Sequence, residues 1–309
     1  MKHFINLKDI PAKDLKKIIA DAKRRKSLRK KQNTLEMDKR APLKGKVLIQ
    51  MFEKASLRTR ISFYLAIKQL GGGTLTLRSN ELHLGQGGES IADTAKILST
   101  YGDGFMLRTD SDKKIEDFKK FLSIPIINGL SPSSHPTQVL SDIFTVEEIK
   151  KKPISRLNIC WIGDSNNVLN SLIAASVKFS FKLSIGCPKK FEPGKEVRNW
   201  LKKNNKKIYI YNDPKKAAKD ADVIFSDKVI SLNDKGNKKK KTSVFKKYRI
   251  DKKLTSFAKK NFIFLHCLPR GNEVDEDIFS GKHSHVWLQA LNRVHVQKSI
   301  LLYCFGKLR

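Results

Sequence analysis

The chain has 309 residues, 39% of them hydrophobic, with 63 Lys+Arg against 30 Asp+Glu and a formal net charge of +33. That length and apolar content fit two domains with sizeable cores and exclude a disordered chain. No apolar run reaches the eighteen or so residues of a membrane span, and MKHFINLKDIPAKDLKK turns charged too early for a secretory signal.

KDLKKIIADAKRRK predicts a helix, and KGKVLIQMF, bounded by Gly45, a buried strand. SLRTRISFYLAIKQL predicts a helix closed by Gly71. GTLTL (strand), SIADTAKILSTYG (helix), DGFMLRT (strand), IEDFKKFL (helix) and IPIINGL (strand) follow in turn. HPTQVLSDIFTVEEIKKK is then a long helix with Pro136 in its first turn, and the lysines before Pro153 mark a domain boundary. The alternation restarts with RLNICWIG, NVLNSLIAASVKF, KLSIGCP, EVRNWLKKNN and KIYIYND. DPKKAAKDA, DVIFSD and FIFLHCLPR extend it, and ALNRVHVQKSILLYCF reads as a final amphipathic helix. The lysine-rich segment 234–247 reads as an exposed loop. The expected fold is therefore α/β: two doubly wound parallel-sheet domains, 1–150 and 151–288, with a C-terminal helix, 289–309, returning to the first.

Two partner classes can be weighed at once. The charge invites nucleic acid, yet the basic residues are spread over the whole chain, as in AKRRKSLRKK and KGNKKKKTSVFKK. Without finger spacing, an RNP-like strand or basic-zipper heptads, a solvated lysine surface is the better reading. Cys160, Cys187, Cys267 and Cys304 are far apart with no CxxC pair, which predicts free thiols in a reducing cytoplasm.

The stretch FEKASLRTR places Arg58 and Arg60 where a helix begins. That end of a helix is already partly positive, so the arginines cost stability unless an anion arrives. With Ser56 as cap, the hydroxyls, unpaired N–H groups and guanidinium forks suit a phosphate dianion, although an exposed basic helix start is an equal alternative. In HPTQ, His135 and Gln138 stand three apart on one helical face, able to hold a planar polar group. Arg108 ends a strand, as does Asp227, which alone would read as a cap or turn residue.

These motifs together (FEKASLRTR, DGFMLRT, HPTQVLSD, WIGDSNN, SDKVISL, HCLPR and ALNR, in this order) resemble the aspartate/ornithine carbamoyltransferase family over nearly the whole chain, and its ornithine branch in particular. The resemblance implies an enzyme without metal or organic cofactor. It would transfer the carbamoyl group of carbamoyl phosphate to the side-chain amine of L-ornithine, giving L-citrulline and phosphate. It implies that Ser56, Leu57, Arg58 and Thr59 cradle the phosphate, and that Arg108, His135, Gln138 and Arg293 hold the carbamoyl group. Leu268 would offer its carbonyl. Asn167, Asp227, Ser231 and Leu232 would bind ornithine, and Cys267 would help orient its amine, which is mostly protonated at neutral pH. His83, in ELHLG, matches a position that reaches a neighbouring subunit's site, implying a homotrimer with shared sites.

Departures from the family pattern keep other readings open. Leu57 replaces a usual Thr, SDKVISLND a usual TDTWxSMG, and LQALNR a usual EAENR. A carbamoyltransferase for putrescine or an acylated ornithine is one alternative; a non-enzymatic basic binding protein on the same frame is another. The aspartate enzymes fit less well, because a proline stands in them where Cys267 is.

Overall fold

Strands that lie inside a parallel sheet are covered on both faces, so they read as short apolar runs rather than alternating ones. The computed structural model bears this out; it describes residues 1–29, 31–78, 88–204, 207–230 and 238–308. The chain divides into two units, one of residues 1–144 with 291–309 and one of residues 145–290.

In the first unit α1 (Ala12–Leu28) precedes β1 (Val47–Phe52), α2 (Leu57–Gln69), β2 (Gly73–Arg78), α3 (Ile91–Tyr101), β3 (Gly104–Arg108), α4 (Asp112–Phe121) and β4 (Ile126–Leu130). Among the described residues the strands form one parallel sheet in the order β2-β1-β3-β4. Ile49, Met51, Phe105 and Leu107 of the sheet pack on Leu98, Ile115 and Phe118 of the helices, with the Phe105 and Phe118 rings 5.1 Å apart. Each such side chain contributes about 1.5–3 kcal/mol by leaving water. Gln50 is the polar member of β1. Its Nε2 donates to Thr74 Oγ1 at 2.9 Å, and Thr74 in turn donates to the Leu48 carbonyl. Ser90 and Ser111 cap α3 and α4 through their hydroxyls, as helix-start serines do.

α5 (Pro136–Lys150) leads into the second unit, whose elements are β5 (Asn158–Ile162), α6 (Asn167–Phe179), β6 (Lys182–Gly186), α7 (Lys195–Asn204), β7 (Ile208–Tyr211), α8 (Pro214–Ala218), β8 (Val223–Ser226), α9 (Lys238–Phe245), α10 (Lys252–Thr255), β9 (Ile263–His266) and α11 (Glu276–Phe279). Its described strands are again all parallel, in the order β7-β6-β5-β8-β9. The core gathers Cys160, Ile162, Ile224, Phe264, Phe245 and Tyr248. α12 (Val286–Cys304) then returns the chain to the first unit. No helix of the described residues is long and apolar enough to cross a membrane.

Two expectations are corrected. The lysine-rich stretch is not wholly a loop. Residues 238–245 are helical, and Phe245 is buried against the Phe191 ring at 5.0 Å. Residues 234–237 lie outside the described residues. The final helix is not amphipathic either, since every residue from Asn292 to Cys304 is buried. Two of its polar members are held inside the protein: Lys298 Nζ lies 2.9 Å from Asp38 Oδ1, and Ser299 donates to Asp21 at 2.8 Å.

The turn between α2 and β2 tests this packing. Gly71, at φ +87°, takes the left-handed position that ends a helix. A Cβ on Gly72 would fall 2.8 Å from the Lys46 carbonyl oxygen and 2.7 Å from Ile67 Cδ1. Gly72→Ala is therefore expected to destabilise the first unit by about 1–3 kcal/mol, seen as a lower urea midpoint; an unchanged midpoint would refute this close approach.

Candidate active site

In each unit the strand order reverses between two neighbours, β1 and β3 in the first and β5 and β8 in the second. Crossovers leave such a pair toward opposite faces, which opens a crevice at the carboxyl ends of the strands. In the first unit that crevice is bordered by the loop after β1, which leads to α2, and by Arg108 at the end of β3.

Ser56 occupies the N-cap position of α2 in extended geometry, φ −153° and ψ 107°, but its hydroxyl makes no capping bond. The first turn of α2 carries no acidic residue, and its leading N–H groups have no intrahelical acceptor. Leu57 is 70% exposed. Glu53 explains why an acid precedes so basic a stretch. It accepts from Thr109 Oγ1 and from Lys114, and its N–H donates to the Arg108 carbonyl at 3.0 Å, which ties the loop to the end of β3. Arg60 departs from the sequence reading: its guanidinium lies over the Phe52 ring, 5.0 Å from the centroid.

Thr59 is the hub of this half-site. Its buried hydroxyl accepts from Arg293 Nη2 at 2.8 Å and from Arg108 Nη1 at 3.4 Å. Arg293, itself 2% exposed, also donates through Nη1 to Gln138 Oε1. Gln138 Nε2 donates in turn to Asp142 Oδ1 at 2.7 Å. His135 is buried among these groups. Burial, and then the charges of Arg293, Arg108 and Arg58, hold its pKa well below the usual 6.5. It is thus a neutral imidazole at neutral pH, able to donate one hydrogen bond beside three guanidinium groups. Arg58, Thr59, Arg108, His135, Gln138 and Arg293 are accordingly brought together, while His83 lies outside the described residues.

In the second unit Asp227 follows β8 and collects three donors. Cys267 Sγ donates to Oδ1 at 2.7 Å, Asn166 Nδ2 to Oδ2 at 2.7 Å, and the Lys228 N–H to Oδ1 at 2.8 Å. Asn166 also caps α6, its Oδ1 accepting from the Val168 and Leu169 N–H groups, and Asn167 is the first residue of that helix. Leu268 has φ +58°, and its N–H donates to His266 Nδ1 at 3.0 Å. Ser231 and Leu232 lie outside the described residues.

Sequence reasoning missed the braces behind these groups. His266 is buried, with Nε2 3.2 Å from Glu273 Oε1, and its N–H donates to Gln289 Oε1 at 3.0 Å. Burial alone would raise the Glu273 carboxyl, but the hydrogen bonds from His266 and the Gly271 N–H outweigh it and hold the group below its ordinary value. Lys241 Nζ lies 2.7 Å from Asp164 Oδ2, each side chain 12% exposed, and sits over the Phe191 ring. One signal was available for Asn166: of the two asparagines in WIGDSNN, the earlier stands where a helix cap belongs. The Lys241–Asp164 pair spans 77 positions and had no local signal.

Two family models divide the chain. Residues 2–148 match the aspartate/ornithine carbamoyltransferase carbamoyl-P binding domain, and residues 155–304 match the Asp/Orn binding domain of the same family. An ornithine carbamoyltransferase of Rhodopseudomonas palustris (strain BisA53) is 39% identical over 307 residues, covering 99% of this chain and 97% of its own length. That of Brucella abortus (strain 2308) is 40% identical over 306 residues, covering 98% and 96%. Among solved structures, ornithine carbamoyltransferase from Pyrococcus furiosus aligns with a TM-score of 0.92 and 36% identity, over 100% of this chain and 98% of its own. The anabolic enzyme of Campylobacter jejuni aligns with a TM-score of 0.88 and 36% identity over the whole of both chains.

The histidines of the first unit give the site a pH signature. His135 is depressed as described, and His295 falls to about 3 through burial and then the charges of Lys298, Lys26 and Arg29. The unfolded chain binds protons near the ordinary 6.5 that the folded unit refuses. The stability from these residues is therefore complete above that value and is lost as pH falls below it. The thermal midpoint should drop between about pH 7 and pH 5, and His135→Gln with His295→Gln should flatten the slope. A flat profile in the unsubstituted protein would contradict neutral burial of these rings.

Proposed function

The chain belongs to the aspartate/ornithine carbamoyltransferase family, and from that membership we propose that it carries out the reaction of the ornithine branch: carbamoyl phosphate and L-ornithine give L-citrulline and phosphate. The observation that carries the first half is the convergence of Arg58, Arg108 and Arg293 about Thr59 and a neutral His135. Such an excess of fixed positive charge is favourable only with an anion present, and a phosphate dianion matches guanidinium forks and helix N–H groups together.

The chemistry follows from the groups. The amine nitrogen of ornithine attacks the carbamoyl carbon, and negative charge develops on the carbonyl oxygen. Donors fixed beforehand around that oxygen, here Arg108, His135 and Arg293, stabilise the tetrahedral state without reorganising. The bond from carbon to the phosphate oxygen then breaks, and the electron pair leaves with phosphate, whose charge Arg58 and the N–H groups of residues 56–59 receive. The proton lost by the amine nitrogen passes to the departing phosphate oxygen. Gln138, held by Arg293 and Asp142, presents an amide suited to a planar carbamoyl group. In the second unit Asp227 is the anionic partner for the α-ammonium of ornithine, and Asn167 meets its carboxylate. Cys267, anchored on Asp227, orients the amine that reacts, assisted by Ser231 and Leu232. Leu268 contributes its carbonyl.

The same reading takes the protein to be a cytoplasmic homotrimer serving arginine biosynthesis, with His83 reaching a neighbouring copy's site. Light scattering behind size exclusion would test the assembly.

Steady-state product formation with ornithine, putrescine, N-acetylornithine and aspartate tests the reaction. Ornithine should be strongly preferred, and Arg58→Ala should lower turnover by about 10²–10³ without unfolding the protein. Near-normal activity of that variant would overturn the phosphate assignment, and preference for another amine would move the protein to a sister activity. A second variant probes the amine side. Lys241 fixes α9 to Asp164, next to Asn166, which holds Asp227. Lys241→Met should raise the KM for ornithine well above any change for carbamoyl phosphate, and Lys241→Arg should restore it; equal shifts in both would refute this positioning role.

A further inference from the structure

The first unit holds a second concentration of positive charge, made of residues the reaction does not use. A cavity of about 650 Å³ opens where the end of α1 meets the segment that follows it, and Lys307 from just beyond α12 completes its wall. Among the described residues six cationic side chains line it, Arg24, Arg25, Arg29, Lys39, Arg40 and Lys307, with Asp38 as the one carboxylate.

Asp38 is already claimed. Lys298 Nζ lies 2.9 and 3.0 Å from its two oxygens, Arg29 2.8 Å and Arg25 3.1 Å away. Its carboxyl is held low although burial opposes ionisation, because those cations outweigh it. Behind the wall, Asp21 takes Arg24 at 2.5 Å and Arg25 at 2.7 Å. Four cations thus share two carboxylates, and Lys39, Arg40 and Lys307 add to them. The floor of the cluster is buried, with the Arg29 side chain 7% exposed, Arg25 12% and Lys298 0%, while Arg24, Lys39, Arg40 and Lys307 stand exposed at its rim. Burial, ahead of the neighbouring arginines, pushes Lys298 down to about 8 despite Asp38. The partial negative charge at the end of α1 accounts for Arg25 there, but it fades within a turn and does not reach the residues of the following segment.

The backbone of the rim is also set against its preferences. Arg40 has φ +71° and Ala41 φ +33°, a left-handed pair without glycine. Asp38 and Leu43 pin this segment through N–H bonds of 2.7 and 2.8 Å to the carbonyls of Gln69 and Leu70.

We propose that this cavity is a binding site for a small, multiply charged phosphate anion, separate from the carbamoyl phosphate half-site. Guanidinium forks match phosphate oxygens in pairs, and the volume falls within the range of ordinary ligand pockets. Among the described residues no aromatic side chain lines the wall to stack on a base, which favours a condensed or bis-phosphorylated anion over a nucleotide. The inference is independent of the reaction assigned to the protein.

Pyrophosphate and tripolyphosphate are the probes, titrated calorimetrically into the full-length Arg58→Ala protein at 0.15 M salt, so that the phosphate cradle does not compete. One saturable site is expected. Arg40→Ala with Lys307→Ala, exposed residues outside the Asp38 and Asp21 pairs, should weaken it by roughly tenfold or more, the loss of charge-assisted bonds. Sulfate at equal ionic strength should not mimic the ligand. Absence of saturable binding would overturn the proposal. So would affinity unchanged in the double variant, or heat reproduced by sulfate, since each would reduce the cavity to general surface charge. An adenine nucleotide that binds much more tightly than tripolyphosphate would overturn the choice of ligand class.

Discussion

A parallel sheet whose strand order reverses cannot cover the carboxyl ends of the two strands at the reversal, because their crossovers depart to opposite faces. Much of what is assigned a role here follows from that constraint, applied once in each unit, while Arg293 is brought to the first opening by α12. In the first, the loop after β1 and Arg108 at the end of β3 border the same opening. In the second, the Asn166–Asn167 pair after β5 and Asp227 after β8 border the corresponding one, with Cys267 arriving from β9 beside them. The sheets are apolar and buried, so the strand ends are where side chains with chemistry can stand.

The openings differ in how their charge is carried. The first collects guanidinium groups, and the cost of gathering them is moderated by neutral acceptors: the Thr59 hydroxyl and the Gln138 amide oxygen take hydrogen bonds from arginine without cancelling its charge. A carboxylate in either place would neutralise the field that an anionic substrate needs. Glu53, the acid of the motif, is turned away to Thr109 and Lys114, where it fastens the loop. The second opening is built on a carboxylate that three donors fix in place.

Much of this was legible in sequence, for reasons that differ by element. Buried strands and their flanking helices announce themselves by apolar runs and by glycines such as Gly71, and the fold class followed from their alternation. Helix α9 did not, because four consecutive lysines dominate any local reading. It is anchored by Lys241 on Asp164 and by Phe245 in the core, contacts between distant parts of the chain. Helix α12 misled for a related reason: His295, Gln297, Lys298 and Ser299 look like a wet face, but they are buried, and Asp38 and Asp21 meet two of them. Composition tells that a residue is charged; only the fold tells what neutralises it. The departures in sequence also look different in place. Leu57 is largely exposed, and the substitution leaves the backbone N–H groups at the start of α2 in place. Val229 is buried in the core of the second unit, and Gln289 serves as the acceptor for the His266 N–H.

The cysteines show how environment separates one residue from others of its type. Cys160 and Cys304 are buried in apolar surroundings that push their thiols far above the usual range, and Cys187 is pushed up to about 12 by burial and then by Asp164 and Glu192. Such thiols pack as small apolar groups and take no part in ionic chemistry. Cys267 is only partly buried and spends its proton on Asp227. That hydrogen bond, at 2.7 Å, ties the sulfur to a carboxylate. The arrangement fits the orienting role proposed for Cys267, in which the sulfur and the carboxylate together would form an acceptor surface for a cationic substrate. A reaction in which the amine attacks directly asks no more of the residue than this.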